Sequence, residues 1–331
     1  MSMKDVQKLT GYSYSTISRV LNGKAAEYRI SDKTCQKIIK AAEALSYRPN
    51  ILARSLRLRK TMTIGLIVPD IQNPTFAETA SKIETRFRKH GYSTILCNAN
   101  EIPENEKFYL QVLVDRQVDG IIISPIHTDE WKDLEIIRKK TPIVLISRVF
   151  YKTGLSWVTS ANTQAAEQMT NELFKLGYRR IAFLGGTKGT YINQVRFGGF
   201  KNAFKDSSFR LDRKLVYFEG YTARSGEIMM ERLMAEHPDI EAVFCINNLV
   251  FIGAMKVVQR IEPDDTPSIM MAGFDIDRYS KFFQRPLLSG NQDFELLAET
   301  TFKLMLDRIE KRPKVNDQIV VPMKVESYNM D

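Results

Sequence analysis

The sequence predicts an all-α head (residues 1–48), a hinge helix and linker (49–60) and an α/β body (61–331). Three observations lead to this prediction. The whole formal net charge of +9 lies in residues 1–60, which carry 13 Lys/Arg and 4 Asp/Glu. Three short amphipathic helical patterns fill the same segment. From Thr61 onward, short apolar runs alternate with helical patterns.

The charge distribution indicates two different tasks for head and body. Positive charge concentrated in one small module favours binding to a polyanion, because bound phosphates release their counterions. The body carries equal numbers of basic and acidic residues. The head is therefore expected to bind nucleic acid, and the body to do something else.

The composition argues against membrane, metal and cofactor classes. No apolar run reaches the roughly 18 residues of a membrane span, and the N-terminus lacks the apolar region of a secretory signal, so a cytoplasmic protein is expected. Cys35, Cys97 and Cys245 are isolated, which favours reduced thiols over a disulfide or a metal site. The three histidines are scattered, and no cofactor is expected.

The head has the pattern of three short helices. Ser2 with Asp5 begins the first helix and Gly11 ends it. Ser13 is expected to cap a second helix from Tyr14 to Leu21, and a third runs from Ser31 to about Ser46. Two short helices joined by a turn that contains glycine form a helix-turn-helix. The residues expected in the shared core are Val6, Leu9, Ile17, Val20, Leu21, Cys35, Ile38, Ile39, Ala42 and Leu45.

The second helix leaves a polar face outward, made by Tyr14, Ser15, Thr16, Ser18 and Arg19. In helix-turn-helix proteins the N-terminal residues of this helix contact base edges in the major groove. The planar guanidinium of an arginine suits guanine O6 and N7. The alternative is an ordinary solvated helix face, and the net positive charge of the head argues against it.

Residues 47–58, YRPNILARSLRL, follow the third helix. Asn50 can cap a helix of about two turns, with Arg54 and Arg57 on its polar side. A helix of two turns is not stable alone in water, so it needs DNA and a second copy of the segment to pack against. Leu56 is then available as an apolar wedge between base steps of the minor groove. The alternative is a plain linker.

The body is expected to contain two doubly wound parallel sheets, because buried strands alternate with helices. The predicted strands are 63–68, 94–97, 120–124, 143–147, 181–185, 215–219, 242–246 and 269–273. The predicted helices are 75–90, 104–116, 163–176, 191–206, 223–236 and 248–260. Ligands of such sheets bind beyond the carboxyl ends of the strands.

The motifs together resemble the LacI/GalR (lactose/galactose repressor) family of bacterial transcriptional regulators. They are, in order, KDVQKLTGYSYSTISRVLNG, YRPNILARSLR, TIGLIVPDIQNPTFAE, DGIIISP, PIVLISR, LGYRRIAFLGG, RFGGF, FCINN, AGFDID and NQDF. The resemblance covers nearly the whole chain. It implies a two-lobed, periplasmic-binding-protein-like body whose chain crosses between lobes near 160, 292 and 320. The N-lobe is then about 61–160 and 293–320, and the C-lobe about 161–292 and 321–331.

The resemblance further implies a homodimer that binds double-stranded, palindromic operator DNA and regulates a carbohydrate-utilisation operon, most simply as a repressor. In the family, the positions of Tyr14, Ser15 and Arg19 read bases, and the position of Leu56 intercalates at the operator centre. The full set expected to contact DNA is Tyr14, Ser15, Thr16, Arg19, Asn22, Tyr47, Asn50, Ala53, Arg54, Leu56 and Arg57.

A small-molecule effector, a sugar or sugar derivative, is expected between the lobes. Amides, carboxylates and guanidinium groups suit sugar hydroxyls, and aromatic rings suit a sugar face. The expected effector-binding residues are Asn73, Phe76, Ser124, Arg148, Arg196, Tyr221, Asn247, Asp275 and Gln292. The family places six of these in its effector cleft, all except Asn73, Ser124 and Tyr221. Alternatively, Arg148 or Asp275 belongs to an interlobe ion pair.

Several positions depart from the family pattern. Ser147 and Asn248 stand where the family often has aspartate, so the cleft loses two carboxylates beside Arg148 and Arg196. This predicts a pocket that tolerates an anionic effector, such as a sugar phosphate or sugar acid. In the head, Gln7 and Thr10 replace small alanines. Residues 24–29 lengthen the loop between the second and third helices, and the sequence leaves the role of this extension open.

Three other functions are compatible with parts of the sequence. One is a sugar-binding protein without a regulatory role whose head is a tether, against which the missing signal peptide argues. Another is an activator of the same family, because the position of the operator decides between activator and repressor. An enzyme is not expected, because 185-GGTKGT-190 lacks the spacing of a phosphate loop and the histidines form no catalytic constellation.

Overall fold

The structure, a computed structural model, describes residues 2–47, 60–126, 132–150, 154–261, 269–283, 285–311 and 317–329. The chain divides into two compact units, Met1–Thr61 and Met62–Asp331, here called the head and the body. Among the described helices, none is both long and apolar enough to cross a membrane.

The described part of the head contains the three predicted helices, α1 (Met3–Thr10), α2 (Tyr14–Leu21) and α3 (Asp32–Ala44). The residues that were predicted to begin and end these helices do so. The Asp5 carboxylate accepts the Ser2 backbone N–H at 2.7 Å. Each of Ser13 and Ser31 accepts the backbone N–H three residues later, at 3.2 and 3.4 Å. Gly11 ends α1 at φ 74°, a left-handed conformation that glycine adopts without strain.

The helices of the head share a small core of Val6, Ile17, Val20, Ile38 and Ala42. Two predictions of the core are wrong. Leu9 is 57% exposed and Ile39 is 42% exposed. Thr10 and Ala41 are buried instead, because helices this short turn only a narrow stripe towards one another.

Ser18 was expected on the outward face of α2 and is buried. The Asn22 amide donates to the Ser18 backbone carbonyl at 2.6 Å and to its hydroxyl at 3.2 Å. The Asn22 backbone N–H also donates to this carbonyl, at 3.1 Å, so Asn22 closes the C-terminal end of α2 through both its backbone and its side chain. Asn22 therefore has a structural role in addition to its predicted contact with DNA.

The body contains two six-stranded sheets. Its strands are β1 (Thr63–Val68), β2 (Ser93–Asn98), β3 (Gly120–Ile123), β4 (Ile143–Ile146), β5 (Ser156–Ser160), β6 (Ile181–Gly185), β7 (Val216–Phe218), β8 (Ala242–Cys245), β9 (Met270–Phe274), β10 (Leu287–Gln292), β11 (Gln318–Val321) and β12 (Met323–Tyr328). Its α-helices are α4 (Pro74–Lys89), α5 (Pro103–Asp115), α6 (Lys132–Ile137), α7 (Asn162–Lys175), α8 (Tyr191–Lys205), α9 (Ala223–Glu236), α10 (Asn248–Ile261) and α11 (Phe294–Ile309).

Each sheet is the centre of one lobe. Lobe 1 has the strand order β11-β5-β4-β3-β1-β2 and lobe 2 the order β12-β10-β9-β8-β6-β7. All neighbouring strands are parallel except β12, which runs antiparallel to β10. The chain passes between the lobes after β5, after β10 and between β11 and β12.

The eight predicted strands and six predicted helices are all present, and no end is shifted by more than one residue. Sequence patterns missed β5, β10, β11 and β12 together with α6 and α11. The segment of β10, LLSGNQ, shows why, because glycine and asparagine interrupt its apolar run. Pairing with β9 and β12 makes it a strand despite that local composition.

Helices α9 and α10 approach each other through glycines. A Cβ added to Gly253 of α10 would overlap the backbone carbonyl of Ala223, and one added to Gly226 of α9 would overlap that of Val250. By contrast, a Cβ on Gly198 of α8 would meet nothing within 4 Å. The first two positions therefore require glycine for packing, and Gly198 does not.

We expect Gly253→Ala to destabilise the body by about 1–3 kcal/mol, because the added methyl forces two helices apart. Gly198→Ala is the matched control, and it should stabilise the body by about 0.5–1 kcal/mol, because alanine loses less backbone entropy in a helix. Urea unfolding midpoints of the two variants measure both effects. Equal stabilities would show that α9 and α10 do not pack as described.

Candidate functional site

The exposed face of α2 is the candidate nucleic-acid surface of the head. Tyr14, Ser15 and Arg19 are exposed, as predicted, and Thr16 is half-buried beside the Ser13 hydroxyl at 2.9 Å. Tyr47 packs against the head core. Burial raises the pKa of the Tyr47 phenol, and the nearby Tyr14 phenol raises it further. Tyr47 is therefore part of the packed head and close enough to Tyr14 for the two phenols to influence each other.

The lengthened loop after α2 contacts the predicted base-reading arginine. The Arg19 guanidinium carbon lies 3.8 Å from the centre of the Tyr28 ring. In the same loop Lys24 and Glu27 form an exposed ion pair at 3.6 Å. A guanidinium stacked on a ring keeps its in-plane N–H donors free while losing rotational freedom. The extension therefore orients Arg19, a role that sequence reasoning missed.

The remaining predicted DNA contacts are Asn50, Ala53, Arg54, Leu56 and Arg57, and they lie outside the described residues.

The second candidate site is a cavity between the lobes, at the carboxyl ends of the strands. Eight of the nine predicted effector residues line it. They are Asn73, Phe76, Arg148, Arg196, Tyr221, Asn247, Asp275 and Gln292. Ser124 does not line this cavity; its side chain is buried at the end of β3, and its hydroxyl has no hydrogen-bond partner among the described residues.

The cavity is nearly closed. Its volume is about 50 Å³, enough for a few water molecules, whereas small-molecule sites usually enclose about 300–1,000 Å³. The Asn248 amide of lobe 2 donates to Asn73 of lobe 1 at 3.2 Å. Outside the cavity, Arg278 of lobe 2 pairs with Glu78 of lobe 1 at 2.6 Å. A small-molecule ligand can enter only when the lobes separate and these contacts break.

Arg148, which follows β4, is held by a carboxylate that the sequence analysis did not include. Its two terminal nitrogens donate to the two Glu101 oxygens, at 2.9 and 2.5 Å, in a bidentate pair. Burial alone would lower the pKa of Arg148, but the Glu101 charge and hydrogen bonds outweigh it, so the pKa is raised. Rings from both lobes flank the guanidinium, Phe76 at 5.5 Å and Tyr221 at 5.7 Å.

The backbone around this pair is strained. Asn100 and Glu101 have φ angles of 54° and 55°, and Ser147, which precedes Arg148, has 63°. Non-glycine residues in this left-handed region cost free energy and tend to occur at functional sites. Glu101 follows β2 by three residues. The rule that ligands bind beyond strand ends could therefore have placed it among the expected effector-binding residues.

Arg196 of α8 is the second cation of the cavity, and it is almost completely buried. Its Nε donates to the Asn162 side-chain oxygen at 2.8 Å and its Nη1 to the Ile246 carbonyl at 2.7 Å. The guanidinium carbon lies 3.6 Å from the centre of the Phe274 ring. Burial lowers the pKa of Arg196 to about 10, although the Asp275 charge opposes this shift. Arg196 therefore remains a cation at neutral pH.

Asp275 follows β9 with a left-handed φ of 55° and is also buried. Its two oxygens accept the Gln292 backbone N–H at 2.9 Å and the Gln292 side-chain amide at 2.6 Å. The Gln292 side-chain oxygen in turn accepts the Ser160 hydroxyl of lobe 1 at 2.8 Å. Burial raises the pKa of Asp275, and Arg196 and the Gln292 hydrogen bonds partly offset that rise.

Lobe 2 supplies a fixed aromatic wall. The Asn247 amide donates to the Tyr221 backbone carbonyl at 3.0 Å, and its oxygen accepts the Val250 N–H at 2.8 Å. The Tyr221 hydroxyl is hydrogen-bonded to Thr190. The cavity thus offers two arginines, two carboxylates, several amides and two rings, which is the chemistry of a polar, hydroxyl-rich ligand.

Comparison with known families covers nearly the whole chain. Residues 2–50 match the model described as bacterial regulatory proteins, lacI family. Residues 61–326 match the model described as periplasmic binding proteins and sugar binding domain of LacI family.

Individual proteins agree with this match. The Catabolite repressor/activator of Escherichia coli (strain K12) is 29% identical over 322 residues, 95% of this chain and 94% of that protein. The Lac repressor dimer bound to operator and the anti-inducer ONPF has a TM-score of 0.86 at 21% identity, covering 99% of this chain and 98% of that one. The Cra regulator of Pseudomonas putida in complex with fructose 1-phosphate has a TM-score of 0.74 at 22% identity, covering 82% and 99%. At these identities the structures support the fold.

Proposed function

Because this chain belongs to the LacI family of bacterial regulatory proteins, we propose that it binds a palindromic operator as a homodimer under the control of an effector in the interlobe cavity. It is a DNA-binding transcription regulator, and its relatives are regulators, not enzymes. We further propose that it is a cytoplasmic repressor of a carbohydrate-utilisation operon without a catalytic step of its own.

One observation carries this proposal: a basic helix-turn-helix head and a two-lobed body with a polar interlobe cavity occur in the same chain. On α2, Tyr14, Ser15 and Arg19 are exposed together, and the stack on Tyr28 orients Arg19. The first turn of such a helix enters the major groove, where an arginine fork pairs with guanine. Tyr47, which packs against the head core, joins the proposed DNA surface.

The homodimer is supported by apolar side chains on the surface of lobe 1. Leu96 on the edge strand β2 is 46% exposed, Ile102 just before α5 is 44% exposed, and Phe108 on α5 is 62% exposed. Apolar side chains gathered on one element pair are typical of an interface. A two-fold dimer presents one reading helix to each half of a palindrome.

For the hinge segment we propose that Leu56 inserts between base steps at the operator centre. Leu56→Ala should then reduce operator affinity by about 1–3 kcal/mol for each protomer, the usual cost of one lost specific contact, and should reduce DNA bending. A gel-shift phasing assay measures the bend, and binding to random duplex should stay unchanged. An unaltered bend would remove the wedge role.

We propose a sugar or sugar derivative as the effector. The related CelR and Cra structures contain cellobiose and fructose 1-phosphate. In this cavity Glu101 and Asp275 balance the charges of Arg148 and Arg196, so an anionic effector must displace Glu101 from Arg148. The expectation based on lost carboxylates at Ser147 and Asn248 did not include Glu101. Glu101 therefore decides between neutral and anionic effectors.

Glu101→Gln should raise the affinity for a sugar phosphate about tenfold, because removing one charge-assisted competitor for Arg148 corresponds to about 1.5 kcal/mol. The affinity for a neutral sugar should change little. Calorimetric titration with matched pairs, such as fructose and fructose 1-phosphate, measures both. Glu104→Gln makes the same charge change nearby on α5 and serves as the control. A gain for neutral sugars alone would contradict the proposed competition.

The proposal as a whole is tested by selecting duplexes from a random pool with the full chain. We expect a palindromic site whose binding weakens steeply with salt and changes when a cognate sugar is added. Retention of no palindromic duplex, with or without sugars, would refute the regulatory function.

A further inference from the structure

A recess much larger than the interlobe cavity lies elsewhere on lobe 2. It is a groove of about 760 Å³ between α8, the edge strand β7 and the loop that joins them. Its volume falls within the range of small-molecule sites, about 300–1,000 Å³. We call it the basic groove, because its rim carries five cations and its lining contains no acidic residue: Lys188, Lys201, Lys205, Arg210 and Arg213.

The five cations of the basic groove are available to a ligand. All five side chains belong to exposed residues, and none has an ion-pair partner within 4.0 Å among the described residues. Elsewhere on the body, exposed arginines and lysines are commonly paired, as Lys256 is with Glu227 and Arg260 with Glu231. A cluster of unpaired cations lowers the free energy of a bound polyanion.

The floor of the groove is aromatic. Phe197 and Phe218 are half-buried, with ring centres 5.3 Å apart in an edge-to-face arrangement. The Lys201 ammonium lies 4.9 Å from the centre of the Phe197 ring, and the Lys188 ammonium 5.3 Å from that of Phe218. Cations and ring faces therefore share one space, so a ligand that carries a flat ring close to several negative charges matches both.

We propose that the basic groove binds a nucleoside polyphosphate, with the base against Phe197 and Phe218 and the phosphates on the lysines and arginines of the rim. Lysine binds phosphate as a point charge, and arginine binds it through its planar fork. Bases stack on aromatic side chains without sequence preference. This site is separate from the effector cavity and does not depend on the function proposed for it.

The test is calorimetric titration of the full chain with ATP, tripolyphosphate and adenosine. ATP should bind at least tenfold more tightly than tripolyphosphate or adenosine, because only ATP contacts both the aromatic rings and the cations of the groove. Lys201→Glu/Lys205→Glu should weaken ATP binding at least tenfold while the urea unfolding midpoint stays that of the parent protein, which shows that the variant is folded. Lys139→Glu/Lys140→Glu, an equal charge change at exposed positions of lobe 1, should leave ATP binding unchanged.

Phe218→Leu separates base stacking from phosphate binding, since it keeps an apolar side chain and removes the ring. It should reduce the ATP affinity to that of tripolyphosphate, whose own binding should not change. Three results would overturn the proposal: undiminished ATP binding by Lys201→Glu/Lys205→Glu, equal affinities for ATP and tripolyphosphate in the parent protein, or tight binding of an Asp/Phe-rich peptide where ATP does not bind.

Discussion

Arg196→Met is expected to destabilise the body by about 2–4 kcal/mol at neutral pH, because each buried polar group left without its partner usually costs about 1–3 kcal/mol. Arg196 and Asp275 are both almost fully buried, and the Arg196 charge partly offsets the cost of burying the Asp275 carboxylate. The substitution also leaves the Ile246 carbonyl and the Asn162 side-chain oxygen without their guanidinium donors. Urea unfolding of the variant and the parent protein measures the difference.

The stability lost by Arg196→Met should be smaller at low pH than at neutral pH. Burial raises the pKa of Asp275 above its ordinary value in the folded protein, and without Arg196 the pKa rises further. The native state then binds a proton that the unfolded state releases, so the stability of the variant increases as the pH falls from 7 towards 5. The double variant Arg196→Met/Asp275→Asn should recover part of the stability at pH 7. A loss that is equal at both pH values, without rescue, would contradict this electrostatic origin.

The sequence was sufficient to predict those parts of the fold whose cause is local. The run 63–68, TIGLIV, has no charged residue and is almost entirely buried, because β1 is an inner strand of a parallel sheet, between β3 and β2. Ser13 and Ser31 begin helices because their hydroxyls accept backbone N–H groups within one turn. Neither feature depends on distant residues, so pattern and cap chemistry are enough.

Other features depend on distant pairs, and no local pattern encodes them. Strand β11 forms because Gln318–Val321 pair with β5, more than 150 residues earlier in the chain. Tyr28 reaches Arg19 only because the loop after α2 folds back over that helix. Asn248, noted at first only for the carboxylate it lacks, links the two lobes through Asn73. Such contacts require the three-dimensional arrangement.

The interlobe cavity could be predicted from the sequence only in part. Its residues follow strand ends, which is a rule of topology, so eight of the nine proposed effector residues meet in one place. The rule does not predict which side chains pair with one another. The bidentate Glu101–Arg148 pair and the Gln292 hydrogen bonds to Asp275 fix the charge balance of the cavity. That balance, more than the composition of the lining, decides which effectors fit.

Arg19→Ala is expected to weaken operator binding by about 1–3 kcal/mol for each half-site, and by about twice that for a dimer on a palindrome, because the guanidinium fork to guanine is lost in both halves. The preference for guanine at the contacted position should relax. Fluorescence anisotropy with the selected operator, and with operators changed at single positions, measures both effects.

Two further substitutions separate base reading from simple charge. Arg19→Lys keeps the positive charge but loses the planar fork, so it should lose most of the specificity and little of the salt dependence. Tyr28→Ala keeps Arg19 but removes the ring 3.8 Å from its guanidinium carbon, so it should weaken operator binding by less than Arg19→Ala does. If Arg19→Ala weakens binding uniformly across all duplexes, and Arg19→Lys restores it, Arg19 contacts phosphate instead of a base. The stack on Tyr28 would then orient a backbone contact.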